Sequence, residues 1–527
     1  MTSLIAKKPL SDNHILVPLL LLVLCLLVTA SSACAAAEFQ PPSPDKLAAI
    51  LKDFEAYAEK SMPEWQTPGM AVAIVKENNV IYTKPFGVKT LGREDPVTTG
   101  TIFQIGSTSK AFTAALVSIL ADEGKITWDD PVISHLPDFV MYDPWVTRQF
   151  MVMDLMAQHS GLPPYSADSL VLFGFNRPYI RHAIRFIEPV SSFRSEFAYQ
   201  NNLFLVAAQL IEKCTGSTWE DNINERIFEP LAMSHSSTDS VSFREAPDVT
   251  TLHHKLWDKI IPLPPDWPYL HWTYTYGPAG GINSNITDMA NWLKLQVNNG
   301  VFDNTCLISS ENMQFMHLPK TIINISSGPR QYYCLAWMYR ENNPFPIIWH
   351  NGGTTGCKTM IALAPEAKIG IVVLSNLIET KLPEALAYRF FDMYFGNPAR
   401  DWSSEMLAKD KELAEKQQSE IPLQPQPPFP PMPLAKYTGD YHNDVYGKIT
   451  ITENSDGLVL VVGPKKSTMS LKPWNRDTFS VYCPFYDGAS DPGWFASFRV
   501  APAGSVTGLT VNVLDEDGCG FFLKQKP

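Results

Sequence analysis

Ser107 and Lys110 stand three residues apart at the head of an apolar run, Ala111 to Leu120, that ends at Ala121-Asp122-Glu123-Gly124. Residues i and i+3 of a helix share a face, so a helix opening here brings the Lys110 amine within reach of the Ser107 hydroxyl. A serine hydroxyl is a weak nucleophile until an adjacent base takes its proton. A lysine can be that base when burial lowers its pKa from the reference value of about 10.4. The helix end also offers unpaired backbone N–H groups and a positive dipole to a developing oxyanion. Ser-x-x-Lys is a short pattern, and it recurs at Ser43-Pro44-Asp45-Lys46. There Ser43 reads as a helix N-cap with Pro44 at the first helical position. An N-cap serine with a solvated lysine is the competing reading at Ser107, and downstream residues separate the two.

Phe197-Ala198-Tyr199-Gln200-Asn201-Asn202 sets a phenol and an amide two residues apart, in a loop ahead of the helical run Leu203 to Lys213. Ile348-Trp349-His350-Asn351-Gly352-Gly353-Thr354 sets a histidine at a strand end before two glycines, where backbone can approach a ligand closely. Together with Phe103 to Lys110, these stretches resemble the three motifs of the penicillin-binding-protein and class C β-lactamase superfamily. The nearest likeness is to its branch of CubicO-type serine peptidases and esterases. Met70 to Lys76, His159 to Pro163 and Pro278 to Asn283 add to the resemblance, which covers roughly residues 45 to 398.

The resemblance implies an α+β fold, an antiparallel sheet flanked by helices with an inserted, mostly helical subdomain. It implies Ser107 as nucleophile and Lys110 as its base. Tyr199 would relay a proton to the leaving group or activate water, and Asn201 would hydrogen-bond both the substrate amide and Lys110. His350 stands where true β-lactamases commonly carry a lysine. The N–H groups of Ser107 and Gly353, with Gly352 beside them, would form an oxyanion hole, in which one donor is worth about 3–4 kcal/mol. Plainer readings stand beside these: a bonded, buried phenol for Tyr199, a helix cap for Asn201, a satisfied strand histidine for His350. His159, at a helix end, is read as structural. A histidine with an unperturbed pKa near 6.5 is mostly neutral at pH 7, so His350 would pair poorly with a substrate carboxylate, and slow or absent penicillin turnover is expected.

Other elements must position these residues. Asp45 to Lys60 has helical spacing, and Met70 to Lys76 with Val80 to Phe86 reads as a hairpin about Glu77-Asn78-Asn79. Residues 126–300 read as helices and loops, with Asn285 and Asp288 capping the helix Met289 to Val297. Strands follow at Tyr332 to Met338, Ile347 to His350, Thr359 to Ala364 and Ile369 to Ser375, and Leu382 to Phe395 is a closing helix. That order brings the first and last segments together in one sheet. Residues 36–400 form the hydrolase-like domain in this reading, and 401–433 a charged, then Pro-rich, linker. Residues 434–527 form an all-β module with strands at Ile449 to Glu453, Leu458 to Val462, Thr478 to Cys483, Phe495 to Val500, Gly508 to Val513 and Gly520 to Leu523. Tyr437-Thr438-Gly439-Asp440-Tyr441 resembles the lipocalin-like barrel appended to some superfamily members.

Composition narrows the function. A length of 527 residues calls for more than one domain, and 45% hydrophobic residues supply large cores. A formal net charge of -12 argues against a nucleic-acid partner. Lys7 and Lys8, the apolar stretch Ile15 to Val28 interrupted by Pro18, and Ala33-Cys34-Ala35 read as a signal peptide over residues 1–35, cleaved to leave a chain starting near Ala36. Periplasmic or extracellular residence is therefore expected; an uncleaved membrane anchor and lipid attachment at Cys34 are the other readings. Cys214, Cys306, Cys334, Cys357, Cys483 and Cys519 form no C-x-x-C, and there is no H-E-x-x-H, so no metal or other cofactor is expected. The whole reads as an exported serine hydrolase making an acyl-enzyme on Ser107. Its substrate would be an amide or ester of a small molecule or short peptide, as in D-amino-acid peptidases, carboxypeptidases or esterases. A weakly catalytic penicillin-binding or sensor domain, or a β-lactamase, is the alternative. The C-terminal module is the candidate surface for a homo-oligomer. The loops Pro163 to Phe193 and Phe243 to Tyr276 are assigned to substrate choice.

Overall fold

The computed structural model describes residues 39–526, apart from 257–258, 268–269, 271, 327, 483–492 and 516–517. The proposed signal peptide and Cys483 lie outside the described residues. Ser43 does cap the first helix among the described residues, α1 (Pro44–Glu64), its Oγ accepting from the Lys46 N–H at 3.4 Å. This second Ser-x-x-Lys is therefore a cap and nothing more.

Behind α1 run β1 (Gly69–Lys76) and β2 (Asn79–Gly87). The sheet then waits for the far end of the chain: β3 (Thr321–Asn324), β4 (Gln331–Tyr333), β5 (Met338–Arg340), β6 (Ile347–Gly353), β7 (Lys358–Ala364) and β8 (Ile369–Ser375). The eight strands lie antiparallel in the order β2-β1-β8-β7-β6-β5-β4-β3. First and last segments meet as β1 and β8, in register from Met70 opposite Ser375 to Lys76 opposite Ile369. Side chains alternate across a strand, and β1 is buried on both faces. Met70, Val72 and Ile74 enter one core with Phe54 of α1 and Leu386 of the closing helix Leu382–Phe395. Ala71, Ala73 and Val75 enter the other, which holds the helix after Ser107 and the helical insertion.

The expected strand Tyr332 to Met338 is instead two short strands, β4 and β5, folded back on each other. The turn between them holds Ala336 at φ +62° and is closed by the Cys334 N–H donating to Trp337 O at 2.7 Å. The run is continuously apolar because the turn itself is buried. The charged stretch Asp401–Glu420 is helical, as its composition suggests. It is a helix (Trp402–Glu420) whose first residues are buried, with the Trp65 Nε1–H donating to Ser403 Oγ at 2.9 Å and the Trp402 Nε1–H to Asp392 at 2.6 Å.

The C-terminal strands, from Gly439–Asn443 to Phe521–Lys524, close into an eight-stranded antiparallel barrel. Closure is by Tyr441 opposite Lys524 and His442 opposite Leu523. The barrel sits against the 3-10 turn Asp168–Phe173 of the hydrolase domain. Tyr446 Oη and Ser169 Oγ are 2.5 Å apart, the Tyr179 hydroxyl donates to Val445 O at 3.1 Å, and the Lys465 N–H donates to Phe173 O at 3.3 Å. A Cβ on Gly463 would fall 2.5 Å from Phe173 O, so only glycine admits this approach.

Candidate active site

Ser107 lies in a 3-10 turn, Gly106–Thr108, that leads into helix α2 (Ser109–Asp122). The tighter turn has three residues per turn and so keeps Lys110 beneath Ser107. The Lys110 Nζ donates to Ser107 Oγ at 3.1 Å, to Asn201 Oδ1 at 2.6 Å and to Ala279 O at 2.9 Å. Lys110 is fully buried, and its Nζ lies 4.7 Å from the Tyr199 ring centre and 5.3 Å from that of Phe204. Burial pushes its pKa down to about 7, with the nearby Asp168 carboxylate pulling the other way. The neutral amine is therefore accessible near pH 7 and able to accept a proton.

The two glycines after His350 let β6 lie directly against the serine's turn. A Cβ on Gly352 would fall 2.0 Å from Ile105 O, and one on Gly106, itself at φ +54°, would fall 2.6 Å from Gly353 N. Thr108 and Thr359 hydroxyls both donate to Ile105 O at 2.8 Å and pin the same turn.

Tyr199 is held by its loop. The Tyr165 N–H donates to Tyr199 O at 2.7 Å, and the Ala198 N–H to Gln158 O at 2.9 Å. Burial raises the Tyr199 pKa well above that of a free phenol, the neighbouring Tyr333 adds to this, and a hydrogen bond with Ser107 opposes it. The group is thus a neutral phenol that can pass a proton on. Asn201 occupies the N-cap position of the helix Asn202–Thr215, but its side chain caps nothing there. Its Oδ1 accepts from Lys110 and its Nδ2 donates to Asp168 Oδ2 at 2.5 Å.

His350 lies within β6 and not at its end. It is fully buried, with Nδ1 against Asn351 O at 2.5 Å and Nε2 against the Tyr333 hydroxyl at 3.1 Å. The carbonyl can only accept, so Nδ1 carries the hydrogen and Nε2 accepts from Tyr333. Burial first, and then the Lys110 charge, push its pKa down to about 3. His350 is a neutral wall of the site, 6.2 Å from the Tyr199 ring. His159 has the structural surroundings expected of it, with Nε2 2.7 Å from Asp154 Oδ1 and Nδ1 2.9 Å from Thr321 Oγ1.

Residues 54–389 match the β-lactamase family pattern. The chain belongs to the β-lactamase family. Residues 423–519, which include most of the barrel, match a domain of unknown function (DUF3471). The chain is similar to unguisins hydrolase ungD′ of Aspergillus campestris, 29% identical over 499 residues, covering 89% of this chain and 90% of that protein. It is 27% identical over 442 residues to unguisins hydrolase ungD of Aspergillus violaceofuscus, covering 77% of each. Protein flp of Staphylococcus aureus is 24% identical over 339 residues, 64% of this chain and 65% of its own length. Among solved structures, the octameric penicillin-binding protein homologue from Pyrococcus abyssi superposes with a TM-score of 0.57 at 21% identity, covering 90% of this chain and all of that one. This family fold is a serine hydrolase fold, and the three motifs converge within it.

Sequence reasoning did not single out Asp168, Tyr333 or the Ala279 carbonyl. Asp168 anchors Asn201, Tyr333 anchors His350, and Ala279 O takes one Lys110 hydrogen. Asp168 falls in the loop assigned to substrate choice and Ala279 in a stretch that resembles this family, so their regions were marked but not their contacts.

Proposed function

We propose that this chain is an exported serine hydrolase that cleaves amide or ester bonds of small molecules or short peptides through an acyl-enzyme on Ser107. The observation that carries the reading is the fully buried Lys110 amine 3.1 Å from Ser107 Oγ, where burial pushes its pKa down to about 7. Ser107 Oγ attacks the carbonyl carbon as the neutral amine takes its proton. The oxyanion forms against the N–H groups of Ser107 and Gly353. The bond to the leaving nitrogen or oxygen then breaks, and that atom receives a proton from the Lys110 ammonium by way of the Tyr199 phenol. Water attacks the acyl group next, its proton passing back to the same pair, and the acid leaves with Ser107 restored. Proton transfer by a positioned group typically contributes 10²–10⁴-fold. Asn201, held by Asp168, presents its amide to the substrate and to Lys110. The neutral His350 offers no charge to a carboxylate, so penicillins are poor substrates.

The decisive measurement is p-nitrophenol release from p-nitrophenyl acetate by the purified chain, expected to vanish in Ser107→Ala. Retention of more than about a tenth of the turnover, a barrier change under about 1.4 kcal/mol, overturns the assignment. Export rests on Lys7, Lys8, the apolar stretch and Ala33-Cys34-Ala35. N-terminal sequencing of the protein from its natural source is expected to begin near Ala36, and finding Met1 overturns cleavage.

A further inference from the structure

A cavity of about 410 Å³ opens where the barrel meets the hydrolase domain. That size falls within the range of roughly 300–1,000 Å³ typical of ligand sites. Its walls are mainly apolar: Trp267, Trp272, Phe173 and Ile378 from the hydrolase domain, Trp494 and Val513 from the barrel. Ser107, Lys110, Asn201 and Gly353 do not line it, but two of its walls are tied to them. Asp168 lines it and holds Asn201, which holds Lys110. Thr354 and Thr355 also line it and follow directly from Gly353, whose backbone abuts the serine's turn. The Trp272 Nε1–H donates to Thr355 Oγ1 at 2.7 Å and fixes one wall to the end of that strand.

The charged groups at its rim are engaged with neighbours. Glu379 pairs with His254 at 2.5 Å and accepts the Lys255 N–H at 2.8 Å, and Asp168 accepts from Asn201. An occupant therefore has little to gain from charge and much from apolar contact. Tyr199, Tyr333 and His350 are not among its lining residues. The leaving group must lie toward the Tyr199 phenol that protonates it. The substituent reaching past Gly353 and Asn201 thus belongs to the acyl half.

Building on the hydrolase reading, we propose that this cavity is the subsite for an apolar, aryl-sized substituent on the acyl component of the substrate, with Trp494 and Val513 of the barrel setting its depth. The barrel is then a specificity element of the hydrolase. A single methylene in such a pocket changes kcat/KM by roughly 10–200-fold, so discrimination between acyl groups should be large.

The test compares the full-length protein with Val513→Trp and Trp494→Ala on p-nitrophenyl esters of acetate, 3-phenylpropanoate and 5-phenylpentanoate. Wild type should prefer 3-phenylpropanoate to acetate. Val513→Trp fills the cavity and should lower that kcat/KM ratio at least ten-fold. Trp494→Ala deepens it and should raise the 5-phenylpentanoate to 3-phenylpropanoate ratio at least three-fold. Ratios within two-fold of wild type in both variants overturn the proposal. A turnover-independent reading accompanies this: calorimetric binding of 3-phenylpropanamide, expected to weaken at least ten-fold in Val513→Trp. If wild type hydrolyses none of the esters, the hydrolase reading falls and this binding comparison alone decides the subsite. Equal binding by wild type and Val513→Trp then overturns it.

Discussion

Two buried polar clusters lie within the same domain, and their difference separates a reactive site from a structural one. Around Lys110 the partners are a hydroxyl, an amide oxygen and a backbone carbonyl, all neutral. The nearest carboxylate, Asp168, is bonded to Asn201 and acts on the amine only through space. Around Asp154 the partners include a full charge. Arg194 donates to it through Nε at 2.9 Å and Nη2 at 2.6 Å, His159 is at 2.7 Å, and the Met151 N–H donates at 2.7 Å. Both side chains are fully buried. Burial alone raises the Asp154 pKa, yet His159 and Arg194 outweigh it and hold the carboxyl below the usual range. For Lys110 burial wins and the charge is loosened. Equal burial thus gives opposite outcomes, set by whether a counter-charge is in contact.

The contrast can be broken in four ways, from the largest effect down. Lys110→Ala should remove the base and cost at least about 10³-fold in kcat, near 4 kcal/mol of transition-state stabilisation, while the melting temperature holds or rises because a buried amine with no counter-charge in contact is gone. A stopped assay with the acetate ester checks it, and a loss under ten-fold contradicts the assignment. Asp154→Ala should do the reverse, costing about 3–5 kcal/mol of stability by leaving Arg194 and His159 without their carboxylate. Urea unfolding reads this directly. The sign also fixes its pH dependence. A carboxylate whose folded pKa is lowered contributes stability present above its unfolded pKa of about 3.9 and lost as pH falls through the folded value.

The third break is the pH profile. The active form of Lys110 is the neutral amine, so kcat/KM should rise with pH, about ten-fold per unit below the midpoint, and level above a midpoint near 7. A profile flat from pH 5.5 to 8.5 contradicts a titrating base. The smallest effect is expected from Asp168→Asn. Its negative charge raises the Lys110 pKa, so neutralising it should move the midpoint to lower pH, with the hydrogen bond to Asn201 retained through the amide oxygen.

Much of this contrast was legible in the sequence where chemistry sits in contiguous motifs. Ser107, Lys110, Tyr199, Asn201 and His350 fall in three short stretches, and the fold brings all three together. What could not be read was the set of partners outside those stretches. Asp168 is 33 residues from Asn201 in an irregular loop, with no period to fix its direction. His350 looked like a strand terminus because glycines follow it, whereas those glycines continue β6 against backbone. In the barrel, the strand Ser467–Asn475 was hidden by Pro473, a residue that normally argues against a strand interior. Gly439–Asn443 was hidden because Tyr441 is its one buried residue, too few to show alternation.

Closure of the barrel has a consequence for how this chain meets copies of itself. Among the described residues, the barrel leaves no strand edge to which another chain could add, whereas the hydrolase sheet keeps two. The β2 edge is guarded by Lys84, tied to Glu55 at 2.5 Å and Glu59 at 2.8 Å on α1. The β3 edge carries Ile322, 56% exposed, with Ile325 beyond it at 57%. A backbone row flanked by exposed isoleucines is the surface on which unwanted strand pairing starts, so crowding and long storage should act on this protein at Thr321–Asn324 before anywhere else in its sheets.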